Sequence, residues 1–261
     1  MRLTKHHALG NDFLVLLDPD GVRPVGADVA RAVCDRHRGV GADGLLRVTR
    51  AAAADVTMQL FNADGGRAEM SGNGISCLAQ AVVLAGLATG PEVRVTTDAG
   101  PRAVRIEPTV RRGEHRATVD MGAAKVGDDE PEWMEDDVLR AARVDVGNPH
   151  LVLHMPEYAG DDDLVGRGVR VNELVPGGIN VEIVVPDGDT LEMHVYERGV
   201  GLTEACGTGA CAVAAAAARW ELAGNDVTVR QPGGDARVGL GDTIHMTVPV
   251  VHVATIDYPD A

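Results

Sequence analysis

Two stretches of the sequence, TMQLFNADGGRAEMSGNGISC (residues 57–77) and EMHVYERGVGLTEACGTGACA (residues 192–212), align without a gap at an offset of 135 residues. The matched positions include apolar residues, glycines and a glutamate: Met58 and Met193, Phe61 and Tyr196, Gly66 and Gly201, Glu69 and Glu204, Gly72 and Gly207, Gly74 and Gly209. A repeat at about half the chain length indicates duplication into two like domains. We therefore predict an N-terminal half of residues 1–120 and a C-terminal half of residues 121–261, with the option that the last strand packs back on the first half.

Each repeat unit predicts the same succession of elements. It begins with alternating residues, VTMQLF or LEMHVYE, which indicate a strand. A Gly-rich loop and a Gly-x-Gly sequence follow, and then an Ala-rich helix, so apolar in the second unit that we expect it to be buried on all sides. The predicted fold is α+β: two pseudo-symmetric domains, each a curled, mostly antiparallel sheet around a central helix.

One reactive side chain stands at the start of each predicted helix, Ser71 in the first and Cys206 in the second. A helix N-terminus offers unpaired N–H groups and a positive dipole end, so it binds carboxylates. A cysteine there is expected to have a lowered pKa. Two such tips facing across one cleft would place a base on each side of a bound α-carbon, which is the geometry for racemisation.

The composition narrows the classes of function. The 261 residues carry a formal net charge of −15, which disfavours binding to nucleic acid or to anionic membranes. No apolar run reaches about 18 residues and the N-terminus lacks a secretory signal, so we expect a cytoplasmic protein with no membrane span. The acidic stretches at residues 127–137 and 160–163 are interpreted as solvated loops or helix starts rather than metal sites.

The cysteines and lysines give no sign of a metal or a cofactor. Four cysteines occur without a Cys-x-x-Cys pair, so we expect no zinc site. Three of them, Cys34, Cys77 and Cys211, fall in predicted helices and are assigned to packing. No P-loop pattern is present, and neither Lys5 nor Lys125 stands out as a pyridoxal phosphate lysine. The expected chemistry therefore uses no metal and no cofactor.

Eight motifs, spread over nearly the whole chain, resemble those of the diaminopimelate epimerase family. They are HALGNDF (7–13), RHRGVGADG (36–44), FNADG (61–65), GNPH (147–150), GINVEIV (178–184), ERGVG (197–201), ACGTGA (205–210) and QPGGD (231–235). The resemblance implies two pseudo-symmetric domains, a homodimer and a small amino-acid substrate. It also implies a pyridoxal-independent isomerase of lysine biosynthesis, which interconverts LL- and meso-diaminopimelate by two-base proton transfer at Cα.

The resemblance also implies a role for each matching residue. Cys206 resembles one of the two acid–base thiols, and Ser71 stands where the other belongs. The reacting carboxylate is expected at the helix starts, with the residues Gly72, Asn73, Gly207 and Thr208. Glu197 and His150 are expected near the reacting amino group. The distal end of the substrate is assigned to Asn62, Asn148, Asn180 and a buried Arg198 that grips a carboxylate through two hydrogen bonds, with Asn11 lining the cleft.

Serine at position 71 departs from the family pattern, as does Ser76, where the family commonly has arginine, and Val248, where it usually has glycine. The pKa of an alcohol lies near the value of about 15.7 for water, and that of a free thiol near about 8.5. The gap of roughly 7 units corresponds to about 10 kcal/mol, of which a helix dipole recovers about 1–2 kcal/mol. Ser71 is therefore expected to be a poor base and to weaken the activity.

Several explanations of the serine stay open. It could be an engineered replacement of a cysteine, the mark of a slow or altered epimerase, or the mark of a relative that uses one thiol; the Ser76 departure favours natural divergence. Two alternative functions also stay open: a racemase or dehydratase of the proline racemase group, and a non-catalytic amino-acid binding protein. The set of FNADG, GNPH, INVE and ERGVG argues against the first of these.

Overall fold

The computed structural model describes residues 1–88 and 90–259. The chain divides into two compact units. The first comprises residues 1–120 together with the C-terminal segment from Thr247, and the second comprises residues 121–246. The chain passes from one unit to the other within two strands, Glu114–Gly122 and Ile244–Asp257.

The first unit is a sheet that closes on itself around one helix. Its elements are β1 (Arg2–Ala8), β2 (Asn11–Leu17), α1 (Ala27–Cys34), β3 (Gly44–Arg50), β4 (Val56–Asn62), β5 (Arg67–Ala68), α2 (Gly72–Leu84), β6 (Glu92–Thr97), β7 (Gly100–Pro108) and β8 (Glu114–Gly122). Neighbouring strands pair antiparallel except β2 with β3 and β4 with β6, which pair parallel. The C-terminal strand Ile244–Asp257 pairs with both β1 and β8 and so completes the ring.

The second unit repeats this order of elements. They are β9 (Lys125–Asp129), a 3-10 turn (Pro131–Trp133), β10 (Arg140–Asp145), β11 (Pro149–His154), α3 (Asp161–Leu174), β12 (Asn180–Asp187), β13 (Thr190–Glu197), β14 (Gly201–Thr203), α4 (Gly207–Arg219), β15 (Asp226–Gln231), β16 (Gly234–Leu240) and β17 (Ile244–Asp257). Strands β11 and β12 pair parallel, as do β13 and β15, whereas the other pairs are antiparallel. The parallel pairs therefore fall at the same two places as in the first unit.

The central helices α2 and α4 fill the two sheets. Nearly all residues from Gly72 to Val82 and from Gly207 to Ala217 are buried, as predicted for the second helix. Glycine and alanine dominate α4, which strands surround so closely that little room is left for side chains, whereas α2 also carries larger buried residues such as Ile75 and Leu78. The predicted α+β class, with a curled, mostly antiparallel sheet around a central helix, is confirmed. Across residues 1–88 and 90–259, every helix is too short or too polar to cross a membrane.

A buried amide attaches α2 to its sheet. The ring nitrogen Nδ1 of His6 lies 2.7 Å from Gln80 Oε1, and Gln80 Nε2 donates to the carbonyl oxygens of Gly113 and Val250, each at 3.0 Å. His6 and Gln80 are fully buried, and burial lowers the pKa of His6 to about 4. The imidazole is therefore neutral in the folded protein at neutral pH, and it connects α2 to β1.

The buried His6 predicts a loss of stability in mild acid. An unfolded histidine has a pKa of about 6.5, so the unfolded chain takes up this proton first and the contribution of His6 falls as the pH drops from about 6.5 to about 4. The expected fall is up to about 3 kcal/mol. Urea unfolding across this range should show a smaller fall for His6→Gln than for the unaltered protein. The exposed His245→Gln is the control, and equal curves for all three proteins would contradict the assignment.

Helix α3 packs on β13 through a glycine. A Cβ atom on Gly168 would lie 2.3 Å from the Tyr196 ring, whereas a Cβ on Gly166 would meet nothing within 4 Å. Both glycines lie inside α3, two residues apart, so they have similar helical backbones and opposite surroundings. The absence of a side chain at Gly168 is what allows the helix to approach the strand.

Alanine substitutions at these two glycines should change stability in opposite directions. Gly168→Ala forces the Tyr196 ring to move and should lower the free energy of unfolding by about 1–3 kcal/mol. Gly166→Ala should raise it by about 0.4–1 kcal/mol, because alanine restricts the unfolded chain at an exposed helical site. Urea denaturation of the two variants is the measurement. A stabilised Gly168→Ala would show that the helix does not depend on this close approach.

Candidate active site

The start of α2 presents Ser71 as its N-cap residue. Its backbone is extended (φ −144°, ψ 125°), and its Oγ accepts a hydrogen bond from the backbone N–H of Gly74 at 3.0 Å. The N–H groups of Gly72 and Asn73 belong to the first turn and have no partner within the helix. The Asn73 side chain is buried, and its Oδ1 has no hydrogen-bond partner among the described residues. This end of the helix therefore carries unsatisfied polar groups beside the Ser71 hydroxyl.

The start of α4 repeats this arrangement with sulfur in place of oxygen. Cys206 is the N-cap residue (φ −126°, ψ 114°), and its Sγ accepts from the backbone N–H of Gly209 at 3.3 Å. The Thr208 hydroxyl lies 3.5 Å from the sulfur, and the Cys206 backbone N–H donates to the side chain of Gln231 at 2.7 Å. Each tip residue thus caps the third N–H group after it, in the same backbone conformation.

The expected lowering of the Cys206 pKa is wrong for this structure. Burial raises the pKa of the thiol well above its ordinary value, and the nearby carboxylates of Glu197 and Glu182 raise it further. The hydrogen bonds from Thr208 and from the Gly209 N–H lower the pKa, but they are outweighed. The helix N-terminus is therefore only one contribution at this site, and the surrounding carboxylates oppose formation of the thiolate.

A buried carboxylate that the motif analysis did not single out lies against the same helix. Glu182 is fully buried on β12, and its Oε1 lies 2.6 Å from Nδ1 of the equally buried His150 on β11. A Cβ atom on Gly209 would come within 2.8 Å of this oxygen, so glycine is needed where the helix passes. The available signal was an ionisable residue within the apolar run NVEIVV, because a charge in a buried strand needs a partner.

Three residues predicted to bind substrate form one hydrogen-bonded row. His150 Nε2 lies 3.0 Å from Asn148 Oδ1, and Asn148 Nδ2 donates to Thr208 Oγ1 at 3.3 Å. Glu197 lies nearby on β13, where its carboxylate accepts from the Thr203 hydroxyl at 2.6 Å. Burial raises the pKa of Glu197, and the charge of Glu182 raises it further. The second unit therefore concentrates acid and base groups around Cys206.

The other predicted site residues differ in burial and in their hydrogen-bond partners. Asn11 donates through Nδ2 to Asp43 at 2.7 Å, whereas Asn62 is exposed at the end of β4. Asn180 is buried, and its side-chain oxygen accepts from the backbone N–H of Arg198 at 2.9 Å. The expectation of a buried Arg198 is wrong, because the residue is exposed and its guanidinium donates to the carbonyl oxygen of Gly177 at 3.1 Å.

The remaining cysteines are packing residues, as their sequence context indicates. All four cysteines are free thiols. Burial raises the pKa of Cys34 and of Cys211 to about 12, and it raises the pKa of Cys77 well above its ordinary value. These three thiols stay protonated at neutral pH. Within residues 1–88 and 90–259, no three His, Cys, Asp or Glu side chains are grouped to hold a metal ion.

Comparison of the sequence with known families finds one match over most of the chain. The model of the family described as diaminopimelate epimerase matches residues 3–127 and 142–253. A diaminopimelate epimerase from Thermobifida fusca is 39% identical, over 98% of this chain and 97% of that protein. One from Sphingopyxis alaskensis is 40% identical over 90% and 87%, and one from Moorella thermoacetica is 37% identical over 99% of each.

Solved structures share the fold at much lower identity. A predicted epimerase from Pseudomonas aeruginosa gives a TM-score of 0.74 at 16% identity, covering 100% of this chain and 99% of that chain. A hydroxyproline epimerase from Agrobacterium vitis gives 0.72 at 17%, covering 98% and 91%. A phenazine biosynthesis protein of the PhzF family from Bacillus anthracis gives 0.73 at 16%, covering 100% and 99%. These similarities concern the fold alone.

The cap geometry at Ser71 predicts a measurable contribution to stability. Ser71→Ala removes the acceptor for the Gly74 N–H and should lower the free energy of unfolding by about 1 kcal/mol. Ser76→Ala is the matched control, because the Ser76 hydroxyl bonds back to the Gly72 carbonyl inside the helix; it should cost about 0.5 kcal/mol or less. Urea unfolding of both variants is the measurement. A larger loss for Ser76→Ala than for Ser71→Ala would contradict the capping role.

Proposed function

The chain belongs to the diaminopimelate epimerase family, and from this premise we propose that it interconverts LL- and meso-diaminopimelate without a cofactor. The observation that carries the proposal is the pair of matched helix starts, each with one acid–base side chain as its N-cap: Ser71 on α2 and Cys206 on α4. A reaction that inverts one carbon needs one proton donor and one acceptor, which act on opposite faces. The duplicated unit supplies one such group per copy.

The proposed reaction begins with removal of the α-proton. In one direction the Cys206 thiolate takes the proton from Cα, and the Ser71 hydroxyl delivers a proton to the other face. In the reverse direction Ser71 must act as the base. The negative charge that develops on the substrate carboxylate is stabilised by the backbone N–H groups at the helix starts, among them those of Gly72–Asn73 and Gly207–Thr208. Atoms balance in both directions, because one proton leaves Cα and one returns.

The substrate is proposed to be held at both ends. The carboxylate of Glu197 and the ring of His150 are assigned to the reacting amino group, whose positive charge the carboxylate balances. The distal amino-acid end is assigned to the amides Asn62, Asn148 and Asn180, with Arg198 for its carboxylate and Asn11 beside it. An arginine that is exposed and donates to backbone carbonyls has its guanidinium available for such a bidentate contact.

We propose that Ser71 makes this protein a slow epimerase. The Ser71 hydroxyl is a far weaker acid than a thiol, and its one hydrogen bond from a backbone N–H does not offset the difference. Delivery of a proton by Ser71 and removal of a proton by its alkoxide are the same step in opposite directions, and the high energy of the alkoxide slows both. Proton transfer between Ser71 and Cα is therefore proposed to limit turnover.

Restoring a thiol at position 71 should raise activity. Ser71→Cys is expected to increase interconversion of the LL and meso isomers by at least about tenfold, a cautious figure since acid–base groups commonly contribute about 10²–10⁴-fold. Cys206→Ala should abolish the remaining activity, because it removes the thiol from the other tip. The measurement is the rate of isomer interconversion, together with the exchange of the α-proton in deuterated water, for the three proteins.

Each outcome of this comparison has a distinct meaning. Unaltered protein that is as fast as Ser71→Cys would show that serine suffices as a base and would overturn the proposed slow step. A Ser71→Cys variant inactive on both isomers would overturn the substrate, and a proline racemase-type activity would then be tested with imino acids. Binding of diaminopimelate with no α-proton exchange in any variant would indicate a non-catalytic binding protein.

The proposal includes a cytoplasmic homodimer, as the family resemblance implies. Four free thiols are compatible with a reducing compartment. Light scattering on the purified protein measures the assembly directly.

A further inference from the structure

The register of the two sheets identifies the counterpart of Glu182 in the first unit. Glu182 on β12 pairs with Val195 on β13, and Leu46 on β3 pairs with Leu60 on β4. Leu60 and Val195 are matched positions of the repeat, 135 residues apart. Leu46 therefore occupies in the first unit the place that Glu182 occupies in the second.

The neighbouring parallel strands extend this correspondence. Glu182 lies beside Val152 on β11, and Leu46 lies beside Val15 on β2. Two positions earlier on these strands are His150 and Phe13. The buried acid–base pair of the second unit is thus replaced by two apolar residues in the first, both of which are buried.

The two central helices consequently start against different surfaces. A Cβ atom on Gly74 of α2 would lie 3.4 Å from the Phe13 ring, whereas a Cβ on Gly209 of α4 would lie 2.8 Å from Glu182 Oε1. The start of α2, where Ser71 lies, is next to an apolar ring. The start of α4, where Cys206 lies, is next to a buried carboxylate. The two units therefore differ in the buried residues beside the helix start as well as in the tip residue.

The His150 ring is held at both of its nitrogens. Nδ1 lies 2.6 Å from Glu182 Oε1, and Nε2 lies 3.0 Å from Asn148 Oδ1. Glu182 therefore fixes the orientation in which the ring meets the Asn148 amide.

This arrangement gives the row of hydrogen bonds one direction. The Nε2–H of His150 donates to Asn148 Oδ1, and Asn148 Nδ2 donates to Thr208 Oγ1 at 3.3 Å. Because Thr208 Oγ1 already accepts, its own proton is available for the Cys206 sulfur, 3.5 Å away. A hydroxyl that donates to sulfur favours the thiolate, which is the form that removes a proton.

We propose that Glu182 is a positioning residue for Cys206. Its contact with Nδ1 holds the His150 ring, and the ring in turn holds Asn148 and Thr208 so that a hydrogen bond ends on the sulfur. This inference rests on the proposed function, in which Cys206 is an acid–base thiol. It deepens that function by assigning to the thiol unit an internal support that the serine unit lacks.

Loss of Glu182 removes this direction. Without the carboxylate the His150 ring has no partner at Nδ1 and can turn, so the Asn148 amide and the Thr208 hydroxyl lose their fixed orientation and the thiolate loses one of its donors. The charge of Glu182 acts in the opposite direction, because it raises the pKa of Cys206 and its removal alone would make the thiolate easier to form. We expect the lost hydrogen bond to outweigh the removed charge.

The experiment measures the reactivity of Cys206 without substrate. The full-length protein is treated with a small alkylating agent, and the rate of modification of the Cys206 peptide is followed by mass spectrometry. Glu182→Leu, which reproduces Leu46 of the first unit, should slow the reaction by at least about tenfold. The matched control is Glu192→Leu, because Glu192 forms a second glutamate–histidine contact, 2.8 Å from His194 on the same strand.

Every outcome decides the inference. Slower modification in Glu182→Leu alone supports the positioning role. Faster modification would show that Glu182 acts as a bare charge, and a rate equal to that of the control would show a merely structural role; either result overturns the inference. If Glu182→Leu does not fold, the isosteric Glu182→Gln decides instead. Its rate should fall by at least about threefold, since an uncharged amide makes a weaker hydrogen bond to the ring than a carboxylate does, and an unchanged or faster rate overturns the inference.

A second readout separates this inference from the proposed function. Exchange of the α-proton of diaminopimelate in deuterated water should show a lower kcat in Glu182→Leu, because Glu182 acts through Cys206. A raised KM with unchanged kcat would overturn the inference, because Glu182 would then affect only substrate binding through His150 and Asn148. If neither the unaltered protein nor Ser71→Cys exchanges this proton, the proposed function fails, and the alkylation rates still decide whether Glu182 positions Cys206.

Discussion

The central helix of each unit is surrounded by strands, and this enclosure constrains the rest of the structure. A helix buried on all sides can meet a ligand only where it starts or ends. The first turns of α2 and α4 are where the extended N-cap residue and the glycines leave backbone N–H groups without helical partners. The chemistry of the protein is therefore concentrated at two helix starts, each held rigidly by the sheet around it.

The same enclosure makes every polar group inside a unit consequential. Gln80, fully buried on α2, is satisfied by His6 and by two backbone carbonyls, and it connects the helix to its sheet. In the second unit the buried polar groups include Glu182 and His150, whose Oε1 and Nδ1 lie 2.6 Å apart beside the start of α4. One unit thus uses its buried polar contacts to hold the helix, and the other places them next to the reactive thiol.

Duplication produced two like frameworks with unequal interiors. The strand directions and the N-cap geometry are the same in both units, yet Phe13 and Leu46 replace the acid–base pair that backs Cys206. The apolar residues beside Ser71 do not stabilise its ionised form. Serine has the higher pKa of the two tip residues and therefore needs such stabilisation more than cysteine does. The thiol side is also held back, because burial and two carboxylates raise the pKa of Cys206. Neither Ser71 nor Cys206 is therefore easily deprotonated. The orientation of the hydrogen-bond donors around the sulfur then determines how readily the thiolate forms.

The sequence by itself determined the duplicated framework, because apolar periodicity and the Gly-x-Gly repeat are local properties that survive without tertiary contacts. It also determined the family and the two tip residues, Ser71 and Cys206, since their motifs are contiguous. Only the tertiary structure decided the raised pKa of the thiol and the exposure of Arg198, which depend on burial. The partnership of Glu182 with His150 likewise depends on two parallel strands that bring residues 32 positions apart into contact. Such pairing is set by strand register, which the spacing along the chain does not reveal.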